Sequence, residues 1–401
     1  MEDRQQEKTT CDILPNLLSS FVDTFVDFSV SGLFLPQQNS PTTMSNSSNL
    51  PKTYYPPPDR LIAIGDLHGD LEKSKQALRL AGLIDRNDCW SGGSATVVQV
   101  GDVLDRGGEE LKILYFLEKL RRQAVKSGGQ LITMNGNHEI MNVGGDFRYV
   151  TREGLEEFSN WAYWYSVGNK MKSLCDGLEK PRDPFLGIPS SLVGMPVGMP
   201  EELNHGIRAR IAALQPDGPI ACRFLSSNVT VLVVGESVLV HGGLLESHVS
   251  YGLEKINEEV RNWINGLMGP SAPRFCRGSN AVVWLRKFSD EIAQNCDCSL
   301  LEHVLATIPG AKRMIMGHTI QKIGINGVCD DRAIRIDVGM SEGCGNGLPQ
   351  VLEINKNSEI RVLPLKPMYQ NNHKAFMDAD RMKGRNFLTQ DHRQKQVEVK
   401  A

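Results

Sequence analysis

Five short segments of this chain set Asp, His or Asn beside Gly. They are Gly65-Asp66-Leu67-His68-Gly69, Gly101-Asp102-Val103-Leu104-Asp105-Arg106-Gly107, Asn135-Gly136-Asn137-His138-Glu139, His241-Gly242-Gly243 and Gly317-His318. Singly, each is weak, since a lone Asp-x-His-Gly is more often a turn than a ligand. Together, Asp66, His68, Asp102, Asn137, His241 and His318 offer three oxygen and three imidazole donors and no thiolate. That set suits a pair of divalent ions, manganese first and iron or zinc next, rather than a structural thiolate site. A purely structural origin would bury charges that need partners, which is expensive. Gly beside most of these donors lets backbone approach the cluster.

Two ions in one crevice suggest hydrolysis of phosphoryl esters by in-line displacement. Arg106 and Arg286, the latter within Val283-Trp284-Leu285-Arg286, offer planar forks for phosphate oxygens. His138 adjoins Asn137, so its ring can sit beside the ions without binding one. It is placed to protonate a leaving alkoxide, with Asp105 to hold the ring.

The elements that must position these residues are legible as short β-branched runs: Leu61–Ile64, Thr96–Val100, Gln130–Met134, Val229–Val234, Ser237–Val240, Arg313–Met316, Ala333–Ile336 and Val351–Ile354. They read as strands. Each of the five segments follows directly on one of them, and carboxyl ends of strands are where α/β sheets bind ligands. Helical periodicity over Glu72–Leu83 and Glu109–Val125 predicts a β-α-β-α-β opening with parallel strands. Gly235-Glu236 predicts a hairpin, so the later sheet is mixed. Glu153–Leu174 reads as a helix, followed by a Pro/Gly/Met-rich loop over Leu186–Pro200.

The catalytic domain is expected over residues 60–366, with an insert at about 140–228. Before it, residues 1–59 combine an amphipathic helix within Leu14–Leu35 and a Ser/Thr/Asn/Pro-rich linker over Gln37–Asp59. Asp23 and Asp27 count against a membrane span. Residues 367–401 read as a polar, solvated tail. With 44 Lys+Arg against 47 Asp+Glu, the formal charge of -3 gives no hint of a nucleic-acid partner. Nine Cys, odd in number and with no secretory signal in view, make reduced thiols the default. Cys296-Asp297-Cys298 cannot bridge to itself without strain, so a redox role would need Cys276 or Cys329. A protein partner could dock through residues 14–35 or these cysteines. The expected location is cytoplasmic, with mitochondrial import lacking a cleaved presequence as the alternative.

The ordered motif series resembles that of the PPP-type metallophosphatases, the phosphoprotein phosphatases with a dinuclear centre. The likeness runs from about Arg60 to Pro364. It implies an α/β fold, a β-sandwich of mixed sheets flanked by helices, with phosphoproteins as substrates and a hydroxide bridging the ions as nucleophile. By motif, Asp66 and His68 resemble ligands of one metal, with His318 grouped there too. Asp102 resembles the bridging ligand, and Asn137 and His241 the other ligands of the second metal. His138 resembles the proton donor, Asp105 its partner, and Arg106, Arg286 and Asn137 the phosphate contacts. The 103-residue interval from His138 to His241 is longer than in compact members, and Ile336-Asp337-Val338-Gly339-Met340 stands where the eukaryotic Ser/Thr enzymes have another segment. Both features are similar to the bacterial-like branch called the Shewanella-like protein phosphatases. Diadenosine tetraphosphate hydrolases share the motif series and keep a dinucleotide substrate open as the alternative. A phosphoprotein-binding scaffold without turnover would need a lost ligand or proton donor, and none is lost.

Overall fold

The computed structural model describes residues 10–36, 51–175, 178, 183–190 and 200–365. The chain opens with α1 (Thr10–Ser31), then β1 (Tyr54–Tyr55), β2 (Arg60–Ile64), α2 (Leu71–Leu80), β3 (Thr96–Gln99), α3 (Glu110–Lys126) and β4 (Gln130–Thr133). Next come α4 (Asn137–Val143), α5 (Arg152–Ser173), α6 (Glu201–Leu214), β5 (Val231–Val234) and β6 (Ser237–Val240). The later strands are β7 (Arg313–Met316), β8 (Asn326–Val328), β9 (Ala333–Arg335), β10 (Gln350–Asn355) and β11 (Ile360–Pro364).

Two mixed sheets result, one in the order β11-β10-β2-β3-β4 and the other β1-β5-β6-β7-β9-β8. β2, β3 and β4 are parallel, as the two intervening helices require, and β10 joins β2 antiparallel. β5 and β6 form the hairpin, with Val234 opposite Ser237 across Gly235-Glu236. β6, β7 and β9 then run parallel. One apolar core joins both sheets. Its buried members include Ile62 and Val97 from one sheet, and Val238 and Ile315 from the other. The strands thus bring the ends of β2, β3, β4, β6 and β7 toward a common region.

The linker expected over Gln37–Asp59 is shorter than that. Tyr54 and Tyr55 pair in parallel with Val233 and Val234, and Thr53 Oγ1 accepts a hydrogen bond from Asn257 Nδ2. Residues 37–50 lie outside the described part, as does the tail 367–401. β5 starts at Val231, not Val229, because Asn257 Oδ1 takes the N–H groups of Thr230 and Val231.

α1 buries Val22, Val26 and Val30, spaced to share one face, while Leu17, Phe21 and Phe28 stay exposed. Two of its acids are paired: Asp27 takes two bonds from Arg223, at 2.6 and 2.9 Å, and Asp23 takes one from Lys172 at 2.6 Å. The helix stops at Gly32, whose φ of 71° ends it and whose N–H returns to Phe28 O. Among the described residues no helix is long and apolar enough to cross a membrane.

The expectation of wholly reduced thiols is corrected at one place. Cys298 and Cys329 form a disulfide, with Cα atoms 5.2 Å apart. It joins the start of helix Cys298–Ala306 to the turn after β8. Composition says nothing of this proximity, although Cys329 was one of the possible partners. Cys296 is free and buried, its Sγ 3.8 Å from Arg335 Nη1.

Candidate metal centre

The strand-end segments meet in one buried cluster. Asp66, His68, Asp102, Asn137, His138, His241 and His318 are all buried. Two groups of donors lie within mutual ligating reach: His68, Asp102 and His138, and Asp102, His241 and His318. Asp102 belongs to both. His318 therefore groups with Asp102 and His241, not with Asp66 and His68 as the motif series suggested. The turn after β7 gives His318 a φ of 66° and places its backbone N–H on the Asp66 carboxylate, at 3.1 and 3.3 Å. Asp66 thus stands beside His318 without joining either group.

The loop after β3 needs unusual backbone. Asp102, Asp105 and Arg106 all have φ between 58° and 68°, a conformation non-Gly residues seldom adopt. The Glu139 carboxylate supports it, accepting N–H bonds from Asp102, Val103, Leu104 and Gly136 at 2.7–3.1 Å. Gly136 is obligatory here, since a Cβ would lie 2.2 Å from Asp102 Oδ1. So is Gly317, where a Cβ would lie 2.3 Å from Asp66 Oδ1.

The imidazoles are oriented as ligands. His68 Nδ1 meets Leu104 O at 2.9 Å and His241 Nδ1 meets Val100 O at 3.0 Å. Each ring therefore turns Nε2 toward Asp102 Oδ2, at 3.7 and 3.1 Å. A backbone carbonyl on one ring nitrogen, with the other free to ligate, is the usual arrangement of a metal-binding histidine. Asn137 Oδ1 lies 2.9 Å from His241 Nε2. His318 Nε2 is buried and has no hydrogen-bond partner. A buried orphan nitrogen is costly, and an ion would complete it. The residues present therefore fit divalent cations.

His138 differs from the others. Its Nδ1 contacts Asp105 Oδ2 at 2.6 Å, and its Nε2 is 3.8 Å from Asp102 Oδ2. Burial disfavours the imidazolium, but the charges of Asp102 and Asp105 outweigh it and raise His138 above its ordinary value. His241 is raised further, to about 10, by Asp102 and Asp66 against its burial, so it is the Nδ1 contact with the Asp105 carboxylate, in place of a backbone carbonyl, that sets His138 apart. Burial also lowers His68 to about 4, and together with His241 and Arg286 lowers His318 to about 2, so these rings stay neutral. Asp66 is pushed well up by burial and then by Asp337. Asp102 is held well down because its histidine neighbours outweigh its burial.

Arg106 and Arg286 line the small cavity over this cluster, about 70 Å³, together with Tyr149, Trp284 and Asp337. Both arginines also border a wider groove of about 620 Å³. Arg286 Nη1 is anchored on His318 O and Thr319 Oγ1 at 3.1 and 2.8 Å. Arg106 lies over the Tyr149 ring at 4.7 Å, a cation–π contact. Tyr149 comes from the insert, so the insert does border the cleft. Most of the Leu186–Pro200 loop lies outside the described residues.

Several residues at the site do not announce a role in the sequence. Glu139 lay within a motif, and Asp337 within a noted segment. Arg210 left a fainter signal, a basic residue with Ile207 and Leu214 on its own helical face.

The calcineurin-like phosphoesterase family matches residues 59–190. Shewanella-like protein phosphatase 2 of Arabidopsis thaliana is 62% identical over the full length of both chains. The chain belongs to the Shewanella-like protein phosphatases. Shewanella-like protein phosphatase 1 of Plasmodium berghei is 28% identical, over 74% of this chain and 72% of its own. The fold matches the cold-active protein-tyrosine phosphatase of a psychrophilic Shewanella, with a TM-score of 0.53 and 19% identity, over 78% of this chain and 83% of that one. As a member of this family the chain is a metal-dependent protein phosphatase, and divalent metals are its cofactors.

Proposed function

We propose that this phosphatase hydrolyses phosphomonoesters on protein side chains at a dinuclear centre, with His138 as general acid. The observation that carries the reading is the pairing of a ligand-like cluster around Asp102 with one histidine tied to a carboxylate instead. Asp66, His68, Asp102, Asn137, His241 and His318 would hold the ions. Manganese suits these oxygen and imidazole donors best, with iron or zinc as substitutes. When bound, the ions supply Lewis acidity and neutralise phosphoryl charge.

The chain's own residues do the rest. Arg106 and Arg286 grip phosphate oxygens from two sides of the cavity and orient the phosphorus for displacement. His138 Nε2 gives its proton to the leaving oxygen as the P–O bond breaks, and Asp105 holds the ring and favours its protonated form. The cytoplasmic location expected from the sequence belongs to the same proposal, and cell fractionation tests it.

The acid is tested by varying the leaving group. Positioned proton transfer contributes roughly 10²–10⁴-fold. His138→Asn should lose that much kcat on a phosphoserine peptide, whose alkoxide is very basic. It should lose far less on p-nitrophenyl phosphate, and it should keep its metal. Equal losses on both substrates, or lost metal, would show His138 to be a ligand or a structural residue. Faster turnover of diadenosine tetraphosphate than of the peptide by the wild-type enzyme would move the substrate class itself.

A further inference from the structure

Behind His138 lies a second polar cluster that the metal centre does not use. Arg210, on α6 of the insert, has no solvent exposure at all. Its Nη1 and Nη2 donate to Glu110 Oε1 and Oε2 at 2.9 and 2.6 Å. The same Nη2 donates to Asp105 Oδ1 at 2.9 Å, and Nε donates to Asn142 Oδ1 at 2.7 Å. Asn142 Nδ2 donates in turn to Asp105 Oδ1 at 3.0 Å. The Phe158 ring stacks against the guanidinium at 4.6 Å.

A bidentate pair with Glu110 would suffice to neutralise a buried arginine. The other two contacts both lead to Asp105, one directly and one through Asn142. Glu110 leads there as well, because its Oε2 accepts the Asp105 N–H at 2.9 Å and supports the left-handed backbone at that residue. Asp105 Oδ1 is thereby filled by two donors, and only Oδ2 remains for His138 Nδ1. Arginine does not give up its proton in proteins, so the carboxylate it grips stays a carboxylate while the imidazole cycles.

We propose that Arg210 is the positioning residue of the proton donor: it locks the Asp105 carboxylate so that His138 Nε2 faces the phosphate cavity. The inference rests on the reading of His138 as general acid. In the step itself the proton passes from His138 Nε2 to the leaving oxygen, which takes the electrons of the broken P–O bond. The imidazole is left neutral on Asp105, and Arg210 touches neither substrate nor ion.

Arg210→Ala alone would strip two buried carboxylates of their cation and is expected to unfold the protein. The test therefore combines Arg210→Met with Glu110→Gln. Methionine fills the space over Phe158, glutamine keeps an acceptor for the Asp105 N–H, and no unpaired acid is added. This double variant should retain wild-type metal content by elemental analysis. It should lose roughly 10–100-fold in kcat on the phosphoserine peptide, a share of what positioned proton transfer supplies, and under threefold on p-nitrophenyl phosphate. Arg210→Lys in the same Glu110→Gln background restores a cation beside Asp105 and should recover most of the loss. Equal losses on the two substrates, no loss on either, or no recovery with lysine would overturn the proposal. His138→Asn separates the two levels. If it shows the substrate-dependent loss and the Arg210 variant does not, the positioning role fails alone. If neither shows it, the general-acid reading has failed and takes this inference with it.

Discussion

On one side of His138, Arg210, Asp105, Glu110 and Asn142 satisfy one another. On the other, Asp66, Asp102 and Asp337 are buried side by side, and His318 Nε2 has no partner. Both clusters are buried and rich in carboxylates, so burial penalises both. The closed cluster contains its own cation. In the open one, Asp66 is pushed well up by burial and by Asp337, and Asp337 is pushed up to about 6 by burial, with Asp102 adding to it. The protein finishes the first cluster with a side chain and leaves the second to be finished by ions. His138 sits where they meet, its Nδ1 on Asp105 of the closed side and its Nε2 3.8 Å from Asp102 of the open one.

Opposite responses to charge removal follow. In the closed cluster, Arg210→Met leaves Glu110 without its cation and Asp105 with His138 alone, and should cost about 3–5 kcal/mol. The loss should be similar with and without metal. Urea titrations in chelator and in manganese measure it, and a loss below about 1 kcal/mol would mean the cluster is not the closed unit described here.

In the open cluster the sign reverses. Without metal, the folded state keeps a proton on Asp337 up to about pH 6, while the unfolded chain releases it near 3.8. The folded state therefore binds more protons between these values, and stability falls as pH rises through that window. Asp337→Asn removes the fall, so the metal-free variant should be more stable than wild type at pH 7, by about 1–3 kcal/mol. Thermal melts at pH 4 and pH 7 in chelator test this. A less stable variant at pH 7 would show that Asp337 is already compensated by the protein.

The contrast between the clusters also explains what was legible in the sequence. The open cluster is built from strand ends, and each of its donors sits in a local motif with Gly. A β-branched run followed by Gly-Asp or Gly-His can be read without knowing the fold. α2 and α3 were legible from periodicity, within a few residues at each end. The closed cluster has no such signature, because Arg210 meets Asp105 across 105 residues. Its one local trace, Ile207 and Leu214 on the same helical face, marks it as inward-facing but names no partner. The same holds for β1, two residues long, and for Cys298 and Cys329, which are 31 residues apart. The grouping of His318 depended on the left-handed turn at that residue, which sets where the ring points. Long-range packing decided each of these, and sequence patterns report mainly on neighbours.

Asp102 offers the most direct test of the open cluster, since it alone belongs to both donor groups. Loss of an outer-shell partner already costs roughly 10–100-fold in metal affinity, so loss of this carboxylate should cost more. Metal content and affinity of chelator-stripped, manganese-reloaded protein should be measured for wild type and Asp102→Asn. The wild type should take up two ions per chain and recover phosphopeptide turnover, while the variant should hold fewer ions and stay inactive. Two tightly held ions and full activity in Asp102→Asn, or full turnover by stripped wild-type protein, would contradict the account.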